Sequence, residues 1–110
     1  MGQAVLNVAG LPAAPLDAAA AFHADHLPRA RAALAEAGAL AVLFEPAGPE
    51  HRGWRLAAVR ELAREAAPKR VNAIVTTDDD ASAETLAYLE SASGITGQLL
   101  AVDGKSAEKD

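Results

Sequence analysis

The sequence contains no cysteine. That removes a disulfide framework, a thiolate nucleophile and every cysteine-based metal site. Aromatic residues are scarce: two phenylalanines, one tyrosine and one tryptophan. A chain of 110 residues has little core to spare, so its interior must be closely packed Ala, Val, Leu and Ile. Positive charge is short too, with ten Lys and Arg against fifteen Asp and Glu and a net charge of −5. Nucleic-acid binding needs clustered cations that displace counterions; here the Arg residues are interleaved with Glu. No apolar run is long enough to span a bilayer. The opening MGQAVLNVAG lacks the basic n-region of a secretory signal. The expectation is a soluble, cytoplasmic protein with neither nucleic acid nor membrane as a partner. One domain is expected over 1–104, with a polar tail over 105–110.

What is present is a regular alternation. Residues 4–9, AVLNVA, read as a buried strand closed by Gly10. Asp17 is placed to cap a helix that starts on the alanine run. Pro28 either kinks that helix or takes the first turn of a second one, PRARAALAEA, which Gly38 closes as a C′ residue. Residues 39–44, ALAVLF, form the second strand. From 51 to 67 the residues Trp54, Ala58, Leu62 and Ala66 recur at helical spacing, widened by Val59 and Ala63. Arg52, Arg60, Glu61 and Arg64 take the other face, and Pro68 stops the helix. Residues 71–75 form the third strand. Asp80 or Ser82 caps a helix that runs to Ser91, with Leu86 and Leu89 inward. Gly94 and Gly97 bracket a turn into the fourth strand, 98–102. This βαβαβαβ pattern predicts an α/β fold: a truncated Rossmann-like three-layer domain with a mainly parallel four-stranded sheet. Right-handed crossovers are expected throughout.

Four local clusters invite a chemical reading, and each has a plainer one. His23 and His26, at i and i+3, share a helix face with Asp25 adjacent, and His51 is the remaining histidine for a zinc set; the favoured reading is a polar helix face before Pro28. Gly48 and Gly53 have the spacing of a phosphate loop, but Trp54 and Arg55 stand where Lys and Ser or Thr belong. Asp78, Asp79 and Asp80 lack the alternating spacing of a calcium loop and suit a helix cap. Trp54 lies on the apolar stripe and reads as core or interface.

Three strings carry a resemblance: VLNVAG at 5–10, LAREAAPKRVNAI at 62–74 and SGITGQLLAVDG at 93–104. Together they resemble the second half of a short-chain dehydrogenase/reductase. In that family the matching segments are the fourth strand with Asn-Asn-Ala-Gly, the fifth helix leading into Arg-Val-Asn-x-Ile, and the last strand ending in Asp-Gly-Gly. The strings occur in the family's order, at nearly its distances. The resemblance implies a nucleotide-binding fold and, for a complete enzyme, NAD(P)-dependent reduction of acyl or ketoacyl thioesters.

The departures concern chemistry. The family's glycine-rich turn and first helix have no counterpart in these residues. Its general-acid Tyr falls on Gly48 and its Lys on Arg52 when the chain is anchored on LARE. Anchored on LAAV, they fall on Arg52 and Leu56. Tyr88 lies far downstream. FEPAG follows the second strand without the family's Ser, and the helix Asn of its proton relay is missing. Asn7 and Gly10 match, but Val8 replaces the second Asn, Thr76-Thr77 replaces Pro-Gly, and Lys105 replaces the final Gly. Arg70, Val71, Asn72, Gly94, Gly97 and Asp103 are kept, and in the family such residues hold the fold and the subunit contacts. The chain is thus similar to the inactive first domain of long two-domain 3-ketoacyl reductases.

No catalytic, cofactor or metal residue is expected, and no cofactor; NADP enters only if a partner chain completes an enzyme. The expected role is a non-catalytic subunit that forms a homo-oligomer or joins a full-length reductase. Its interface is expected on the two terminal strands, at Val5, Leu6, Val8, Gln98, Leu100 and Val102. The alternatives are a partner-dependent oxidoreductase component and a small-ligand module that uses the loops near Gly10, Pro46 and Thr77.

Overall fold

A computed structural model describes residues 2–102. The tail at 105–110, Asp103 and Lys105 lie outside the described residues. Strand β1 (Gln3–Val8) leads to helix α1 (Pro15–Ala21), a π-helical turn (Phe22–His26) and helix α2 (Leu27–Glu36). Strand β2 (Ala39–Phe44) is followed by a 3₁₀ turn (Pro49–His51) and helix α3 (Arg52–Ala66). Strand β3 (Arg70–Val75), helix α4 (Asp79–Ser91) and strand β4 (Leu99–Ala101) complete the order. The four strands form one sheet in the order β1-β2-β3-β4, and every pairing is parallel. The register sets Ala41 between Val5 and Asn72, and Ile74 beside Leu100.

Side chains alternate across a strand, so the sheet has two distinct faces. Leu6 and Val8, Leu40, Val42 and Phe44, and Val71 and Ala73 point to the face that carries the main core. Phe22, Ala30 and Leu34 from the first helical segments and Val59 and Leu62 from α3 close over it. The other face presents Ala41, Asn72 and Ile74, all buried. Here α4 lies across the sheet: the Gln3 side-chain amide donates to the Leu86 carbonyl, and Leu89 is fully buried. Helices on both faces make the domain three-layered and Rossmann-like, as the alternation predicts. The strands step in one direction throughout, yet α4 is on the opposite face from α2 and α3. The β3–α4–β4 crossover therefore has the opposite hand to the two before it, and the expectation of uniform right-handedness fails there. The reason is burial: without α4 on its side, Ile74 and Ala41 would face solvent.

Several helix ends differ from the sequence reading. Asp17 does not cap α1; Ala14 does, without a side-chain bond, and Asp17 lies in the first turn. Pro15 begins the helix with its φ already set, and the Ala18 amide donates to the Ala14 carbonyl at 2.8 Å. Pro28 takes the first turn of the second helix, α2, without a break in the chain's helical course. The helix widens before it, with the Leu27 amide donating to the Phe22 carbonyl across five residues. A π turn of this kind absorbs the residue whose missing N–H and bulky ring an α-helix rejects. Gly38 is not a left-handed cap: the only positive-φ glycines among the described residues are Gly10 and Gly97. Ala37 is already extended at φ −131° and ψ 163°, so the chain runs straight toward β2. At α4 the cap is Asp78, whose carboxylate accepts from the Ala81 amide at 2.9 Å, and not Asp80 or Ser82.

Candidate functional site

In a parallel sheet with helical crossovers, the loops at the strand C-termini surround a mouth where such folds place ligands. Here the mouth is built from the segments after Val8, Phe44, Val75 and Ala101. Glu45 divides it. Its carboxylate accepts from the Gly10 amide at 3.1 Å, and its carbonyl accepts from Arg55 Nη1 at 2.9 Å. One side chain thus ties the loop after β1 to the loop after β2, and its own main chain is tied to α3.

Arg55 is the least expected residue here. It is only 6% exposed, near the start of a helix whose other arginines face water. Its guanidinium lies 4.5 Å from the Phe44 ring centre and 5.8 Å from that of Trp54. Such cation–π contacts partly offset the desolvation of the charge. Nε has no hydrogen-bond partner among the described residues. Burial pulls the guanidinium below its ordinary pKa, and the nearby Glu45 charge opposes this. The spacing already held the signal: Arg55 is one heptad before Leu62 and thus on the apolar stripe, not opposite it.

His51 is buried beside it. Trp54 Nε1 donates to His51 Nδ1 at 3.0 Å, and His51 Nε2 lies 3.0 Å from the Ala13 carbonyl. An indole N–H can only donate, so Nδ1 accepts and Nε2 carries the proton given to Ala13. Both ring nitrogens are engaged, and His51 serves to pin the loop before α1 against the start of α3.

Three cavities open at the mouth. One of about 310 Å³ lies on the α3 side, lined by Gly48, His51, Arg52, Arg55, Val75 and Leu99 among others. A smaller one of about 190 Å³ lies beneath Pro12 and Pro46. One of about 320 Å³ lies on the α4 side, bounded by Asn7, Ala9, Pro46, Thr76, Thr77 and Asp79 among others.

The candidate clusters are not assembled into sites. His23 Nδ1 is 2.8 Å from the Ala19 carbonyl, and His26 Nδ1 is 2.9 Å from Arg29. Among the described residues no group of three His, Cys, Asp or Glu is placed to hold a metal. Gly48 to Gly53 form the 3₁₀ turn and the start of α3. Trp54 is half-buried against Phe22 and Phe44, with ring centres 5.7 Å away in both cases.

The expected interface residues separate by strand alternation. Val5 is 45% exposed, on the sheet face that carries α4. Leu6 and Val8 are not available, because their side chains lie in the main core; only their main chain reaches the sheet edge. Gln98 is exposed, and Leu100 and Val102 are half-buried. The ladder reaches both ends of the expected fourth strand: Ala73 N donates to the Gln98 carbonyl and Val102 N to the Val75 carbonyl. Tyr88 is on α4, across the sheet from Gly48 and Arg52, and half-exposed.

The turn after β1 leads to a short helix that begins at Pro15, without the paired glycines of a pyrophosphate loop. The N-terminus of α4 is already capped by Asp78 and carries Asp79 and Asp80 in its first turn, which repel phosphate.

An all-parallel sheet with helices on both faces and a loop-built mouth defines a Rossmann-like domain. The chain belongs to the SDR-like family, described as short chain dehydrogenase-like protein, whose model matches residues 6–102. No curated protein and no solved structure matches it.

Proposed function

We propose that this chain is a non-catalytic short-chain-reductase-like subunit of the cytoplasm. In this reading it corresponds to the C-terminal half of the family's fold and acts by association, with itself or with a full-length reductase. The observation that carries the reading is the outer edge of β1. Among the described residues this strand pairs with β2 alone, and exposed Val5 stands beside its free donors and acceptors. A sheet edge of this kind is a template for another strand unless something covers it. The lack of any Tyr between β2 and α3 supports a role without turnover.

Light scattering and sedimentation on the purified protein test it. A dimer or larger assembly that Val5→Lys weakens is the expected result. A folded monomer at high concentration, with no uptake by a reductase partner, overturns it.

A second reading, a small-ligand module, is favoured by the cavity of about 320 Å³ between Ala9, Pro46 and Thr77, whose loops are those expected for it. The partner-dependent reductase reading needs a second chain to provide both the pyrophosphate loop and the general acid. NADPH titration with and without candidate partners separates it from the others.

A further inference from the structure

The cavity on the α3 side combines an apolar wall with a buried charge. Its walls are largely apolar, with Ala47, Pro49, Val75, Leu99 and Ala101 contributing. Its charged wall is Arg55, more than nine-tenths buried. A guanidinium has five N–H donors in a fixed fork. Arg55 gives Nη1 to the Glu45 carbonyl, and its Nε finds no acceptor among the described residues. It is in no ion pair with a described carboxylate. The Glu45 carboxylate is near enough to act on this charge but makes no ion pair with it, so among the described residues the buried cation has one carbonyl and two aromatic rings in contact and no anion. Arg52 stands exposed at the rim of the same cavity, one turn before Arg55, and adds a second positive charge at the entrance.

We infer that this cavity binds a small monocarboxylate with a short apolar body, its carboxylate on the Arg55 guanidinium and its tail toward Val75 and Leu99. A carboxylate matches the planar fork and carries the single charge that Arg55 lacks. A phosphate would bring more charge and more oxygens than one buried guanidinium and an apolar wall can satisfy. The volume of about 310 Å³ lies at the lower end of the range for ligand sites, which suits a short chain and not a cofactor. The inference does not rest on the association reading, since occupancy of the cavity and oligomeric state are measured separately.

The test uses hexanoate, with hexanol and hexylamine as size-matched controls, followed by calorimetry and by NMR of the amides of Val75, Leu99 and Ala101. Hexanoate is expected to bind and to shift those amides, and the two controls are not. Arg55→Met is expected to weaken hexanoate binding at least about tenfold, the scale of a lost charged hydrogen bond. Arg52→Glu, at an exposed position that leaves the fold alone, is expected to weaken it several-fold; this variant decides the matter if Arg55→Met does not fold. Equal binding of hexanol, absence of any hexanoate response, or hexanoate affinity unchanged in Arg52→Glu would overturn the assignment.

Discussion

Two arginines occupy opposite ends of the same sheet, and their surroundings could hardly differ more. Arg70 opens β3 at the base. Its Nη1 donates to the Leu89 and Ala92 carbonyls at 2.7 and 2.9 Å, filling acceptors that the end of α4 leaves open. Asn72, two residues on, is 2% exposed and doubly used: it donates to the Ile95 carbonyl and accepts from the Gln98 amide, both at 3.0 Å. Thr96 and Gly97 complete the lacing through Val71. Gly97 makes the turn at φ 74°, which a residue with a side chain rarely adopts. Arg55, at the mouth, has one carbonyl and, among the described residues, no acceptor for its Nε. The base is built of the segments that match the family's strings, and it is saturated with hydrogen bonds. The mouth is where the family's chemical residues are replaced, and it keeps a charge unspent. In this molecule the retained motifs are structural devices, while capacity for binding lies among residues the motifs do not contain.

That contrast has measurable consequences. The largest is expected at Asn72→Ala, which empties a buried side-chain site and leaves the Gln98 amide and the Ile95 carbonyl without their partner. Urea denaturation should show a loss of about 2–4 kcal/mol. A loss well below this would mean that the SGITGQ turn holds itself. Arg70→Met should cost about 1–2 kcal/mol, with faster amide hydrogen exchange concentrated in the last turn of α4. Uniformly faster exchange would show that Arg70 supports the whole fold and not that helix end. Arg55→Met should stay within about 1 kcal/mol of the parent protein or exceed it, because it removes an under-paired buried charge and frees a single carbonyl, that of exposed Glu45. If it destabilises as much as Asn72→Ala, Arg55 is a strut and the contrast between the two ends collapses.

The smallest effect belongs to the surface pair Arg31–Glu65, bidentate at 2.9 and 2.8 Å but with both partners half-exposed. The hydrogen bond from Arg31 holds the Glu65 carboxyl below its ordinary pKa. Its contribution is therefore present above the unfolded carboxylate pKa and is lost as pH falls through the lower, folded value. Glu65→Gln should flatten thermal stability slightly in that acid window and leave it unchanged below; a difference that persists below the window would assign Glu65 another role.

Much of the fold was readable from residue pattern. The apolar run 39–44 coincides with β2, and the helix start near 51 and its end before Pro68 follow from spacing and from proline. Helix caps were less legible. Asp17, Asp78, Asp80 and Ser82 are all competent cap residues, and the choice depends on where the preceding strand lets the chain turn. The site was least legible. Spacing puts Arg55 on the apolar stripe, one heptad before Leu62, but only the packed helix shows that this face carries a charge in against Phe44 and the Glu45 carbonyl.

Sequence alone determined the alternation of strands and helices, the parallel sheet that follows from it, and the family strings at 62–74 and 93–104. Each of these depends on local periodicity or on residues close along the chain. Only the tertiary structure decided which face of the sheet α4 covers, that Leu6 and Val8 belong to the core while Val5 does not, and that Arg55 and His51 meet at the mouth. Those outcomes depend on which apolar surfaces must be covered together, and that balance is set between segments far apart in the chain.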